Sequence, residues 1–225
     1  MCILCLRAIS TEDLGFMRAA LKPAEPDRVY TILRTSILRC RFRPGDFLPE
    51  AELATKCKSS RTPVREACNR LAQEGWIRKI PHRGYLVKPI SLQEIVEVYE
   101  YRRLLECHTA GLAARTASKD QLSHLTRTIS MENGNLRSQM LITANTRFHL
   151  GIAEIAGNLR ILNALELMLE YVHRLDILST QRESSWIPHR KILTALKMHD
   201  CARATKAMAV HIDEARDRML RIFAP

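Results

Sequence analysis

The sequence predicts a mainly α-helical protein in which an N-terminal winged helix-turn-helix precedes an all-α six-helix bundle. Between residues 26 and 90, three amphipathic patterns are followed by two strand-like runs around Pro81-His82-Arg83-Gly84. That order is typical of three helices plus a β-hairpin wing. Beyond Ser91 helical spacing recurs six times without a strand pattern. We therefore predict an N-terminal arm at 1–25, a winged domain at 26–90 and a helical domain at 91–225.

The helices of the winged domain follow from apolar spacing and turn residues. The first helix is predicted from Asp27 to about Arg41, and Arg43-Pro44-Gly45 then indicates a turn. Pro49 opens the second helix. The third begins after Ser60, whose hydroxyl can cap it. Its apolar residues recur at helical spacing and predict one inward stripe, formed by Val64, Ala67, Cys68 and Leu71.

The six later helices are delimited by glycine, proline and capping residues. Their predicted ranges are about 91–116, 119–131, 137–157, 159–182, 186–198 and 201–223. The breaks between them fall at Ser118, Gly134, Gly157-Asn158, Pro188 and His199-Asp200. Lys88-Pro89-Ile90 joins this bundle to the wing.

Charge and cysteine usage narrow the class of protein. The net charge is +11, and residues 26–90 alone hold 14 Lys/Arg against 6 Asp/Glu, a surplus of +8. A basic surplus confined to the winged domain favours a polyanionic partner there. The seven cysteines are scattered and odd in number, which favours reduced thiols and a cytoplasmic protein. Since no apolar run approaches about 20 residues, a membrane partner is not expected.

The start of the third helix has the chemistry of a DNA-recognition helix. Arg61, Thr62 and Arg65 lie outside the apolar stripe, near the helix N-terminus. A helix that enters a major groove by this end presents such donors to bases and phosphates. An ordinary amphipathic helix with a solvated basic face is the alternative, and the flanking helices and wing favour the DNA interpretation.

Longer motifs resemble a bacterial family. PGDFLPEAELA (44–54), SRTPVREACNRLAQEGWI (60–77) and RGYLV (83–87) resemble the N-terminal domain of GntR-type transcription regulators. EYRRLLE (100–106), FHLGIAEIAGN (148–158), PHRKILTAL (188–196) and HDCARATKAMAVHI (199–212) resemble the FCD effector domain of their FadR subgroup. The resemblance implies a homodimeric repressor or activator that binds a palindromic double-stranded DNA operator. It also implies that the bundle binds a small carboxylate metabolite, often at a metal ion.

The resemblance implies seven DNA-contacting positions at the helix start and the wing tip: Ser60, Arg61, Thr62, Arg65, His82, Arg83 and Gly84. Two residues depart from the family pattern. Ala51 stands where some relatives have an arginine that touches DNA, and Lys58 stands where the turn usually has glycine. A left-handed backbone at Lys58 would cost about 1 kcal/mol.

Three histidines occupy the positions of the family's metal ligands: His149, His189 and His211. Asn145 and His149 are four residues apart on one predicted helix and so project from the same face. Three helices around one cavity can bring imidazole nitrogens to Zn²⁺. We therefore predict a divalent metal, Zn²⁺ first and Ni²⁺ or Mn²⁺ as alternatives. Arg102 aligns with a family arginine that faces the effector, and pairing with Glu106 is its alternative role.

Asn145 stands where the family's fourth ligand is typically Asp. An amide oxygen is neutral and binds divalent ions more weakly than a carboxylate, so restoring Asp at this position should tighten metal binding. The substitution also leaves open a regulator with a degenerate, metal-free effector pocket. A metal-dependent hydrolase is the other alternative, because three histidines on zinc can activate water. No carboxylate stands at motif spacing for its general base, and we predict a ligand-responsive dimeric repressor rather than an enzyme.

Overall fold

The computed structural model describes residues 24–130, 138–179 and 189–224, which form nine α-helices and three short strands. The N-terminal elements are α1 Glu25–Leu38, β1 Phe47–Leu48, α2 Glu50–Cys57, α3 Arg61–Gln73, β2 Ile77–Ile80 and β3 Gly84–Val87. The helices that follow are α4 Leu92–Thr116, α5 Lys119–Ser130, α6 Ser138–Ala156, α7 Leu159–Ser179, α8 Arg190–Lys197 and α9 Cys201–Phe223. The predicted fold class, a winged helix-turn-helix followed by a helical bundle, is confirmed.

The wing has one strand more than the sequence predicted. β1 pairs antiparallel with β3, and the sheet order is β1-β3-β2. Since β1 contains only two residues, its hydrophobic alternation is too short to recognise. The extra strand matters because Phe47 of β1, which pairs with Leu86, lies beside the wing.

The third helix has the predicted inward stripe, and Val64, Ala67, Cys68 and Leu71 are all buried. Two local predictions fail. Ser60 is the N-cap residue in an extended conformation, but its side chain makes no capping hydrogen bond. The first helix ends at Leu38, before Arg41, because the buried Cys40 adopts a left-handed conformation with φ 52°. Lys58 is left-handed at φ 49°.

Side-chain caps fix where several bundle helices begin. The Ser91 hydroxyl accepts a hydrogen bond from the Glu94 N–H, and Asp200 accepts one from Arg203 N–H at 2.8 Å. The Asn158 side chain accepts from the first turn of α7. These side chains accept hydrogen bonds from backbone N–H groups that have no partner within the helix. The predicted breaks at Gly134 and Pro188, and the arm through residue 23, lie outside the described residues.

The core of the bundle lies between α4 and α9. Gly111 of α4 is packed so closely that a Cβ there would meet Thr205 Oγ1 of α9 at 2.8 Å. Around this contact the buried apolar cluster includes Phe148 of α6, Leu175 of α7 and Met208 of α9. Phe148 of this core also contacts the rings of the buried His149 and His189.

The chain separates into two compact units. One contains the described residues through Thr35 together with Phe47–Leu86, and the other contains Ser36–Asp46 and the residues from Val87 onward. None of the described helices is both long and apolar enough to cross a bilayer.

Candidate nucleic-acid surface and metal centre

A basic groove separates the recognition helix from the wing. It has a volume of about 780 Å³ and is lined by Pro49, Glu50, Ala51, Arg61, Arg65, Lys79, Ile80, Pro81, His82, Arg83 and Gly84. Five of the seven predicted DNA-contacting residues thus border one concave surface. The other two, Ser60 and Thr62, are exposed at the start of α3 but outside the groove lining. Lys79 is a basic lining residue that the sequence motifs did not identify.

Glu50 is the acidic residue of the groove, and it holds Arg65. The Arg65 Nε donates a hydrogen bond to Glu50 Oε2 at 2.7 Å, while the arginine side chain stays 59% exposed. Glu50 raises the pKa of Arg65 through this hydrogen bond. Since two of the guanidinium nitrogens remain outside the Nε contact, Arg65 can still address an acceptor in DNA. A phosphate or base that binds Arg65 would have to compete with Glu50, which orients the arginine side chain.

The wing tip combines an exposed arginine with tight backbone geometry. Arg83 lies over the ring of Phe47, 5.6 Å from its centroid, a contact that orients its positive charge. His82 is left-handed at φ 59°. Gly84 is buried, and at φ +127° an added Cβ would meet Leu48 O at 2.5 Å. Gly84 therefore contributes to the wing through its backbone geometry.

Three buried histidines meet inside the helical bundle. His149 of α6, His189 at the start of α8 and His211 of α9 each offer a nitrogen, and these atoms lie within 4.8 Å of one another. The Nε2 atoms of His149 and His189 are 3.2 Å apart. Two nitrogens bound tetrahedrally to zinc at about 2.1 Å would be separated by roughly 3.4 Å. The spacing therefore fits a shared ion.

The protonation state of His211 also fits a metal ligand. Burial, followed by the neighbouring His189 and His149, keeps the pKa of His211 well below its ordinary value, so this imidazole is neutral. Its Nδ1 is buried without a hydrogen-bond partner among the described residues. A neutral imidazole with an open nitrogen is the form that binds divalent ions.

Glu106 orients His149. Its Oε2 contacts the His149 Nδ1, and its Oε1 accepts a hydrogen bond from Arg102 Nε at 2.7 Å. Burial raises the pKa of Glu106, but Arg102 and His149 together outweigh it, and the pKa falls to about 2. A carboxylate on Nδ1 leaves the His149 Nε2 free to face the other histidines. Arg102 is buried and its Nη2 lies 3.5 Å from that Nε2.

Asn145 faces a second buried carboxylate. Its Nδ2 donates to Asp176 Oδ2 at 3.0 Å, and Arg218 Nη2 donates to Asp176 Oδ1 at 3.3 Å. Burial raises the pKa of Asp176 to about 6, against the opposing charges of Arg218 and Arg102. All three side chains are buried.

A small cavity joins these groups. It has a volume of about 20 Å³ and is lined by Tyr99, Arg102, Asn145, Val172, Asp176, His211, Ala215 and Arg218. That space accommodates about one water molecule or ion. The structure thus brings the four predicted metal-site residues and Arg102 to one place. The pairing of Arg102 with Glu106, predicted as the alternative role of this arginine, is present. Asp176 and Arg218 carry no sequence motif and were missed.

Comparison with known proteins identifies the families of both domains. Residues 97–214 match the FCD domain, and residues 26–87 match the bacterial regulatory proteins of the gntR family. The chain belongs to the GntR family and carries an FCD domain. Its function is accordingly transcription regulation through DNA binding, and its relatives are regulators, not enzymes.

Relatives of this GntR regulator align over most of its length. The HTH-type transcriptional repressor RspR of Escherichia coli is 28% identical over 211 residues, covering 90% of this chain and 92% of RspR. The Nta operon transcriptional regulator of Aminobacter aminovorans is 28% identical over 188 residues, covering 81% of this chain and 88% of the relative. E. coli McbR/YncC shares the fold, with a TM-score of 0.70 at 19% identity. The superposition covers 89% of this chain and 99% of the McbR/YncC chain.

Proposed function

We propose that this GntR regulator is a dimeric repressor whose binding to a palindromic operator is modulated by a small carboxylate bound at a metal in the FCD domain. The observation that carries the proposal is the meeting of His149, His189 and His211 in a buried cluster. That it represses rather than activates is proposed by analogy with RspR, a transcriptional repressor that aligns with most of the chain.

The DNA half of the proposal is supported by the basic groove. Arg61 and Arg65 supply guanidinium donors from α3, and Arg83 supplies one from the wing. An arginine can bond the O6 and N7 of guanine together, whereas the wing charge suits a phosphate. A homodimer would present two such grooves to two half-sites, which is why a palindromic operator is expected.

When bound, a divalent metal would supply a positive Lewis-acid centre for a carboxylate oxygen. The histidines would hold the ion, and Arg102 would add a planar donor pair beside it. The cavity holds only about 20 Å³, so a metabolite has to displace side chains on entry. A ligand that requires such a displacement binds one arrangement of the bundle better than another, and that difference is what shifts a regulatory equilibrium.

The metal half is tested by elemental analysis of protein purified without chelators or a histidine tag. We expect about one zinc, nickel or manganese per chain, and loss of that metal in the His149→Ala/His189→Ala variant. Absence of metal from the wild-type protein would contradict this half and favour a regulator with a degenerate effector pocket.

The DNA half is tested by selecting binding sites from random-sequence duplexes with the wild-type protein. We expect enrichment of an inverted repeat, bound by a species of twice the chain mass in sedimentation experiments. Enrichment of a single half-site by a monomer would rule out the dimeric mode, and no enrichment would contradict sequence-specific DNA binding.

A further inference from the structure

Asp176 is a buried carboxylate that lies behind Asn145. Only 3% of it is exposed, and both of its oxygens accept hydrogen bonds, Oδ2 from Asn145 and Oδ1 from Arg218. Two N–H donors, one of them the cationic guanidinium of Arg218, stabilise a carboxylate against the cost of burial. The cluster therefore holds a buried acidic group that contacts Asn145 on one side and the cationic Arg218 on the other.

We propose that Asp176 is a positioning residue of the metal centre, supplying through the amide of Asn145 the negative charge that an aspartate at 145 would supply directly. The inference rests on the metal binding proposed above. It assigns to Asp176 a role that acts through its hydrogen bond to Asn145.

The hydrogen bond fixes the direction of the Asn145 amide. Because a carboxylate only accepts, the Nδ2 branch of Asn145 must face Asp176, and the Oδ1 branch is turned away from it. Asn145 and His149 are one helical turn apart on α6, on the same face. An oxygen oriented in this way is available as a fourth metal ligand.

The same hydrogen bond adds charge to that oxygen. A donor bonded to an ionised acceptor is polarised, and an amide polarised at its N–H₂ carries more negative charge on its oxygen. Carboxylates behind histidine ligands act in the same manner, and Glu106 stands behind His149 in this arrangement. Asp176 itself is not among the residues whose ligand atoms cluster within 4.8 Å, which is consistent with a role through Asn145.

Arg218 holds Asp176 from the other side through an ion pair. Its Nη2 lies 3.3 Å from Asp176 Oδ1, and both side chains are buried. Without this partner an ionised carboxylate in the interior would be costly. The arginine also occupies the oxygen that Asn145 does not use, so the two donors together fix the carboxylate.

The arrangement changes what an acidic residue at 145 would do. Asn145→Asp alone would place two carboxylates in the contact now spanned by the 3.0 Å hydrogen bond, and like charges at that distance repel. Asn145→Asp with Asp176→Asn exchanges the two groups and preserves both the hydrogen bond and the charge. The exchanged protein should therefore bind metal better than the Asn145→Asp single variant.

The experiment measures zinc affinity by competition with a chromophoric chelator for five full-length proteins: wild type, Asp176→Asn, Asn145→Asp, the exchanged double variant and the control Glu166→Gln. Glu166 is exposed on the same helix, α7, so its change removes one charge outside the cluster. We expect Asp176→Asn to weaken zinc binding by about 10- to 100-fold. The control should match the wild type, and the double variant should recover most of the loss.

Melting temperatures of the metal-free proteins give a second readout. Asn145→Asp should melt lower than the wild type because its carboxylate faces Asp176, and the exchanged variant should recover. If Asp176→Asn does not fold, the exchanged variant decides: retained zinc binding supports the proposal and lost binding overturns it.

The remaining outcomes separate this inference from the function on which it rests. Zinc affinity of Asp176→Asn equal to that of the wild type would overturn the role of Asp176 while leaving the histidine centre standing. Asn145→Asp binding zinc more tightly than the exchanged variant would overturn it too. A wild-type protein that binds no zinc would overturn both.

Discussion

The type of a side chain does not determine whether it is available to contact a ligand, and Arg65 illustrates the difference. Its place in the third helix predicts a base or phosphate contact, but its Nε is bonded to Glu50. Sequence could not show this pair, because the partners come from α2 and α3 and meet only in the fold. We therefore expect Glu50 to influence how Arg65 contacts DNA.

Arg65→Ala should weaken operator binding by about 5- to 150-fold, the equivalent of 1–3 kcal/mol for one specific arginine contact. Arg78→Ala is the matched control, since Arg78 is an exposed arginine of β2 that does not line the groove. Fluorescence anisotropy on a labelled operator measures both. Equal losses for the two variants would show that Arg65 contributes only general charge.

Glu50→Gln should have the opposite effect on DNA binding. It removes the acidic residue of the groove and releases Arg65 from an exposed ion pair worth up to about 1 kcal/mol, so affinity should rise by up to about fivefold. Thermal unfolding should change little. A decrease in affinity would show that Glu50 orients Arg65 for its contact.

At the scale of elements, periodicity predicted most helix bounds because each bundle helix buries one continuous face. α5, predicted at 119–131, spans Lys119–Ser130, and α9, predicted at 201–223, spans Cys201–Phe223. The predicted elements are wrong where tertiary contacts determine the local structure. β1 contains two residues held by pairing with β3, and α1 ends early where Cys40 takes a left-handed conformation.

The candidate metal site was likewise predictable from the sequence only in part. Its histidines are visible as spaced residue types, but Asp176 has no motif and is brought to Asn145 by the packing of α7 against α6. Long-range side-chain pairs of this kind depend on helix orientation, which apolar spacing does not specify.

Gly84→Ala should disrupt the wing. The new Cβ would meet Leu48 O at 2.5 Å in addition to its strained φ of +127°, and the two effects together should cost more than the ~1–3 kcal/mol of backbone strain alone. Gly45→Ala is the control, because Gly45 has φ +87° with open space around it. Denaturant unfolding compares the two. Equal destabilisation would mean that β1 shifts to admit the methyl group.

For the whole molecule, the two candidate sites belong to different compact units, the basic groove to one and the histidine cluster to the other. Substitutions at the histidines should therefore remove the metal and its stabilisation without removing intrinsic DNA affinity. Coupling between the sites would then appear only when a metabolite is present, because a ligand shifts an equilibrium only by its difference in affinity for the two states.

Metal removal tests this separation. A ligand that binds only the folded state at 100 times its Kd adds about 2.7 kcal/mol of stability, so a chelator should lower the wild-type melting temperature. His149→Ala/His189→Ala should melt at one temperature with or without chelator, yet bind the operator as tightly as the chelated wild type. Loss of operator binding in that variant, with its helical content intact, would show that the histidine side chains themselves maintain the DNA-binding arrangement.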